Sequence, residues 1–265
     1  MTGSQGQGAR IGIDVGGTFT DFVLADPQGG GLVYYKEPST PDEPSRALIE
    51  GLKSLLGKAG LTAADVSLLM HGTTIGLNAI IQRRGATIAL VVSKGFRDIL
   101  EIARSRMPSS FDFHSSKEEP LVPRYAVIEI DARLSAAGEV TRAPDEAEIA
   151  RVAAELKALG ADAAALVLIN GYARPEVEIA LAEKLSAGAG GLAITSAAAI
   201  WPEIREYERT LVACLNAYIQ PLMQRYFAGL RQGLARDGVD APILVTASNG
   251  RSEERRVGKE CRSRW

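Results

Sequence analysis

Short apolar runs alternate with helical periodicities along most of the chain, the pattern of an α/β protein. Arg10–Val15, Phe22–Ala25 and Leu32–Lys36 read as strands. The first two flank Gly16-Gly17-Thr18, a turn short enough to predict an antiparallel hairpin. The third follows the turn signal Asp26-Pro27-Gln28-Gly29-Gly30 and extends the pair as a meander. Pro41-Asp42-Glu43-Pro44 opens a helix to about Leu56, with Leu48, Ile49, Leu52, Leu55 and Leu56 on one face. Val66–Met70 reads as a buried strand delivering His71-Gly72-Thr73-Thr74 to a helix that ends near Gly85. Thr87–Val92 is a further strand and Phe96–Ile102 is apolar-periodic. Arg104–Pro123 is irregular and polar, expected as a loop over a site or an interface.

From Tyr125 onward the pattern predicts a second α/β unit. Ala126–Ile130, the turn Ser135-Ala136-Ala137-Gly138 and Val140 suggest a hairpin. Helices at Asp145–Leu159 and Pro175–Leu185 then alternate with strands at Ala163–Ile169 and Leu192–Thr195. A long amphipathic helix spans Pro202–Arg236, and Pro242–Thr246 is a last strand. The stripe Leu211, Leu215, Tyr218, Ile219, Leu222, Tyr226 and Leu230 reads as packing, and Cys214 as a core residue rather than a nucleophile. In Pro202–Arg209, pairing of charges four apart explains much of the pattern without any site. The stretch Arg251–Trp265 breaks the pattern, with six Lys/Arg against three Glu and one Val. It reads as a tail foreign to the protein, from a frameshift, vector read-through or an assembly scar; a basic arm for nucleic acid or an acidic partner is the other reading.

Composition narrows the function classes. With 265 residues, 46% hydrophobic and 23% charged, the chain has ample material for a core, which excludes wholesale disorder. No run approaches the roughly 20 apolar residues of a membrane span, and Met1–Arg10 lacks the form of a secretory signal. A net charge of −2 gives no general reason to bind nucleic acid or anionic lipid. Cys214 and Cys261 cannot build a disulfide framework, and His71 and His114 have no Cys/His cluster beside them, which argues against a zinc enzyme. A soluble, reduced, cytoplasmic protein is the expectation.

Two strings carry candidate chemistry. In Ile11-Gly-Ile-Asp14-Val-Gly16-Gly17-Thr18-Phe-Thr20-Asp21, a strand ends in a carboxylate, followed by two glycines and hydroxyls. Gly16 and Gly17 let backbone N–H groups approach an anion, and Thr18 and Thr20 can add hydroxyl donors, the makings of a phosphate cradle. Asp14 would repel bare phosphate, so its role is to hold Mg²⁺ beside it. A plain hairpin turn is the alternative. No Gly-Lys-Ser/Thr follows, so the string is not a P-loop, and it is not a dinucleotide fingerprint either. In His71-Gly72-Thr73-Thr74-Ile75-Gly76-Leu77-Asn78, a strand passes into a helix. Thr73 and Thr74 would meet phosphate or substrate there, with His71 or Asn78 nearby; helix capping and a core histidine are the competing reading. Lys94, Arg97, Arg104 and Arg106 could steer a carboxylate or phosphate, or form a solvated face.

On these strings, together with Lys94–Ile102, Pro202–Thr210 and Asn216–Tyr226, the chain resembles the N-terminal half of the hydantoinase A/5-oxoprolinase family, which includes ATP-using subunits of acetone and acetophenone carboxylases. The resemblance implies an actin-like, ribonuclease-H-like ATPase fold of the acetate and sugar kinase/Hsp70/actin superfamily, N-terminal part only, with ATP held between two ribonuclease-H-like domains. It divides the chain into a disordered residues 1–9, an N-terminal α/β region over 10–200, the start of a truncated main domain over 201–250, and the tail 251–265. The implied chemistry is ATP- and Mg²⁺-dependent opening of a five-membered cyclic amide or imide of the hydantoin or 5-oxoproline type. Catalysis falls to Asp14, Thr73 and Thr74, phosphate binding to Gly16, Gly17, Thr18 and Thr20, and Mg²⁺ to Asp14. A B-type subunit is the implied partner, in an oligomer. A carboxylase ATP-using subunit and an inactive fragment or scaffold are the alternatives.

Overall fold

The computed structural model describes residues 8–26, 30–40, 43–105, 109, 111–112, 114–115, 117, 119–246 and 252–253. Pro27–Gly29, Pro41-Asp42, Arg106, Asn249-Gly250 and most of the basic tail lie outside the described residues. The chain forms, in order, β1 (Ala9–Val15), β2 (Phe19–Ala25), β3 (Leu32–Pro38), α1 (Pro44–Ala59), β4 (Val66–Thr73), α2 (Ile75–Ile81), β5 (Ile88–Ser93), α3 (Ile99–Ile102) and β6 (Val127–Ile130). Then come β7 (Arg133–Leu134), β8 (Val140–Arg142), α4 (Glu146–Ala158), β9 (Ala163–Val167), α5 (Pro175–Gly188), β10 (Ala193–Ser196), α6 (Ala197–Ile200), α7 (Glu206–Arg236), β11 (Ile243–Thr246) and β12 (Ser252–Glu253). Two compact units result. The first takes the described residues up to Arg84 and from Leu222 on, and the second takes Gly85–Pro221. Pro221 inside α7 sits where the chain passes from the second unit back to the first.

The first unit is built on a sheet of order β12-β11-β4-β1-β2-β3. The expected meander is there: β1 pairs antiparallel with β2, and β2 with β3, while β4 runs parallel to β1 and β11 parallel to β4. Along β1, Ala9, Ile11, Ile13 and Val15 point into the core and Arg10 and Asp14 point out, the period of two that one covered face imposes. Phe22 and Leu24 of β2, Leu48, Leu52 and Leu55 of α1, and Met223, Tyr226, Leu230 and Leu234 of α7 complete that core. Gly51 lets α1 approach β2, because a Cβ there would lie 2.4 Å from the Phe22 ring. Strand β4 continues through His71-Gly72-Thr73 in register with Ile13, Asp14 and Val15, three residues beyond the predicted strand. Helix α2 closes at Ile81, short of Gly85.

The second unit holds an all-parallel sheet of order β10-β9-β5-β6. Every residue of β5 and β9 is buried, as expected of strands covered on both faces. The predicted hairpin from Ala126–Ile130 is not formed: β6 pairs in parallel with β5, and the hairpin is the short β7–β8 pair that follows. On α7 the buried positions in this unit are Arg209, Thr210, Ala213, Cys214, Asn216, Ala217 and Tyr218; of the predicted packing stripe Tyr218 is buried, and Leu211, Leu215 and Ile219 are half-buried.

Pairing of charges four apart does not account for Arg209. It is fully buried 3.8 Å from fully buried Glu178 of α5, and its Nη2 donates to the Leu168 carbonyl at 2.8 Å. Glu178 in turn accepts from the Leu168 and Ala198 amides and the Ser196 hydroxyl, each at 2.8 Å. Burial pushes the Glu178 pKa up, opposed by those two amides and by Arg209. Glu208, nearby, takes a bidentate contact from Arg104, so Arg104 is engaged within the fold.

Candidate phosphate and cation site

Strand β1 ends at Val15 and β2 begins at Phe19, leaving Gly16-Gly17-Thr18 as the turn. The Gly16 N–H donates to the Phe19 carbonyl at 3.0 Å. Neither Gly16 nor Gly17 has positive φ, so their value is steric: a Cβ on Gly16 would stand 3.0 Å from the Phe19 oxygen. Gly17 and Thr18 are exposed, and among the described residues their amides donate to no protein acceptor. Two adjacent open N–H groups at the tip of a turn form the kind of concavity that holds an anion.

A residue that sequence reading missed fixes this turn. The Ser39 hydroxyl, just past β3, donates to the Gly16 carbonyl at 2.8 Å, and the Ser39 N–H donates to the Thr18 carbonyl at 2.9 Å. Thr20 is fully buried, with its hydroxyl 3.1 Å from that of Ser39. The Thr20 side chain therefore braces the turn from behind.

Across the outward face of the sheet, β11, β4, β1, β2 and β3 set Thr246, Gly72, Asp14, Asp21 and Lys36 in one row. Asp14 and Asp21 are directly opposed, an arrangement of like charges that costs free energy unless cations balance it. Lys36 balances Asp21 at 2.9 Å. Asp14 is exposed, and among the described residues no cation or donor engages its carboxylate. Gly72 keeps the space beside it clear, since a Cβ there would come within 3.3 Å of both Asp14 Oδ1 and Thr246 Oγ1. Among the described residues no three His, Cys, Asp or Glu side chains cluster around a metal position. Magnesium asks for less, because one or two carboxylates suffice when water and phosphate oxygens fill its remaining positions.

Residues 10–187 match the family model of the hydantoinase/oxoprolinase N-terminal region. The chain belongs to the hydantoinase/oxoprolinase family. It is 32% identical over 247 residues to the caprolactamase alpha subunit of Pseudomonas jessenii, covering 91% of this chain and 35% of that one. The crystal structure of the ATP-dependent caprolactamase from that organism superposes with a TM-score of 0.81 at 32% identity, over 92% of this chain and 36% of the other. This shared fold is the N-terminal part of the expected ATPase architecture. Identity is 30% over 270 residues to 5-oxoprolinase 1 of Arabidopsis thaliana (91% and 21% covered) and 28% over 261 residues to the acetophenone carboxylase gamma subunit of Aromatoleum aromaticum (92% and 35% covered). The chain thus spans about a third or less of the length of these relatives.

In this hydantoinase/oxoprolinase chain the second motif is engaged within the fold. The Thr73 hydroxyl accepts the Ile75 N–H at 3.1 Å, and the Thr74 N–H donates to the Val15 carbonyl at 3.3 Å. Asn78 donates to the Thr74 hydroxyl at 3.2 Å, and its Nδ2 lies 3.4 Å from where a Gly17 Cβ would sit. Thr73 and Thr74 therefore tie the strand–helix junction to the end of β1, and Asn78 overlooks the turn. His71 lies in the core, where Tyr226 hydroxyl and His71 Nε2 are 2.7 Å apart. Burial pushes its pKa down from 6.5 to about 4, with the Ile13 backbone opposing. Thr246, whose hydroxyl donates to the His71 carbonyl at 3.3 Å, closes the row beside Gly72 and was not legible from local sequence.

Proposed function

We propose that this chain carries the phosphate- and magnesium-binding part of an ATP-dependent hydrolase that opens a five-membered cyclic amide or imide of the hydantoin or 5-oxoproline type. The observation that carries the reading is the open Asp14 carboxylate two residues before a turn with two open amides. Asp14 would hold Mg²⁺, directly or through water, and the Gly17 and Thr18 amides with the Thr18 hydroxyl would take phosphate oxygens. ATP, when bound, supplies activation of the amide carbonyl, converting a poor electrophile into one with a good leaving group. The residues of the chain contribute fixed donors around the phosphate chain. Ser39 and Thr20 hold the turn, Gly16 permits its closure, and Thr73, Thr74 and Asn78 hold its flank, so no donor has to reorganise when charge develops. Thr73 and Thr74 act as positioning residues, because their hydroxyls are already engaged within the fold.

The relation to an alpha subunit supports a multi-subunit enzyme with a B-type partner in an oligomer, and a cytoplasmic setting goes with ATP as the energy source. The test is phosphate release from MgATP by the chain within its complete multi-subunit enzyme, with 5-oxoproline or hydantoin. Stimulation in step with the ring-opened acid is the expected result. Stimulation that requires bicarbonate and a ketone would replace the hydrolase with a carboxylase subunit. Absence of turnover under either condition would overturn the catalytic reading in favour of a scaffold subunit.

A further inference from the structure

In the second unit a groove of about 580 Å³ beside β6 and α4 is lined by Lys94 and Arg97 and by the apolar or aromatic side chains of Tyr125, Val127 and Leu159. Its charges divide into those already engaged and those left open. Arg151 donates through Nε and Nη2 to Glu148, to Glu155 through Nη1, and to the Glu129 carbonyl at 2.8 Å through Nη2. Glu148 also accepts the Asp131 N–H at 3.2 Å, and the Glu129 carboxylate accepts the Gly95 N–H at 2.7 Å. The three glutamates and one arginine thus engage one another and the backbone. That leaves Lys94 and Arg97. Among the described residues, no ion pair or hydrogen bond engages either head group, and they act on Glu148 and Asp98 only by longer-range attraction. Arg97 Nε is out of solvent and has no partner, so it is the terminal guanidinium nitrogens that can meet a ligand in the groove.

We infer that this groove is a binding site for a small amphipathic carboxylate. The acid group would lie between Lys94 and the forked Arg97 guanidinium, and the apolar body along Val127 and Leu159 toward Tyr125. The net open charge is positive, which selects an anion. The lining also holds Val127, Leu159 and Tyr125, which is 75% exposed, and these apolar surfaces select a ligand with a hydrophobic body over a bare inorganic ion. The β6 edge does not recruit a strand along this length, because Arg151 covers the Glu129 carbonyl and Glu148 the Asp131 amide. The groove lies entirely within the second unit, and this inference does not depend on the phosphate reading of the first.

The experiment is calorimetric titration of the full chain with 3-phenylpropionate, its neutral amide and phenyl phosphate, repeated on Lys94→Gln/Arg97→Gln. Saturable binding of the carboxylate is expected, with at least tenfold weaker binding of the amide and a loss of at least tenfold in the double variant. Neither head group has a partner among the described residues, so the variant should keep the wild-type melting temperature, and a melt run alongside checks this. Equal binding of acid and amide, equal binding by wild type and a folded variant, or binding of the phosphate alone would each overturn the assignment.

Discussion

Acidification offers a quantitative check on the placement of His71. Its imidazole is held in the core of the first unit, and burial lowers its pKa from 6.5 to about 4. Tyr226, which burial keeps protonated, stands 2.7 Å from Nε2, a geometry that suits the neutral ring as acceptor. Between these two pKa values the unfolded chain binds a proton that the folded chain does not. Stability is therefore complete above about pH 6.5 and falls as the pH drops toward 4, with no further loss below it. At about 1.4 kcal/mol per pH unit within that window, the loss at pH 4.5 comes to about 2.5 kcal/mol. The assay is urea unfolding followed by circular dichroism from pH 7.5 to 4.5, on wild type and His71→Gln. Exposed carboxylates titrate in both proteins and cancel in the difference. Wild type should lose about 2.5 kcal/mol more than the variant. Equal slopes would refute the buried neutral histidine and reopen a site role for it.

Three further outcomes follow from packing and burial. Gly51→Ala should destabilise by about 1–3 kcal/mol in thermal or urea unfolding despite alanine's better helix propensity, because its Cβ would press into the Phe22 ring. An unchanged or raised stability would contradict the close packing of α1 on β2. Glu178→Ala should cost about 3–5 kcal/mol by removing the fully buried carboxylate and leaving Arg209 with only the partly exposed Glu206 at 3.8 Å, and Glu178→Gln less, since it keeps an acceptor; a loss below about 1 kcal/mol for the alanine variant would contradict the buried pair. Cys214 is buried and its thiol is pushed up to about 12 by desolvation, so in a Cys261→Ser background no thiol should react with Ellman's reagent natively and one should react in denaturant.

The parts of the fold that are local were the parts legible in sequence. The β1–β2–β3 meander follows from period-two alternation and a three-residue turn, and the helices follow from their apolar spacing. Strand β4 runs past its apolar stretch because the parallel pairing of His71-Gly72-Thr73 with β1 supplies hydrogen bonds that composition does not reveal. For the same reason β6 was assigned a hairpin partner close in sequence instead of its distant parallel one. Thr20 was legible as a core position, since Phe22 and Leu24 share its face, but its hydroxyl drew attention to the turn instead. Ser39 and Thr246 reach the site from other strands, so no local motif could show them. Arg209 carried a usable signal: Ala213 and Ala217 follow it at intervals of four, and small residues on one helix face mark close approach.

The central claim is that Asp14 and the following turn form a magnesium–phosphate site, and ³¹P spectra of tripolyphosphate with the chain test it most directly. The account predicts saturable shifts of the terminal phosphate resonances that require Mg²⁺, with the Mg²⁺ requirement lost in Asp14→Asn and the fold retained. Shifts of equal size and equal Mg²⁺ dependence in Asp14→Asn, or none in wild type, would contradict it.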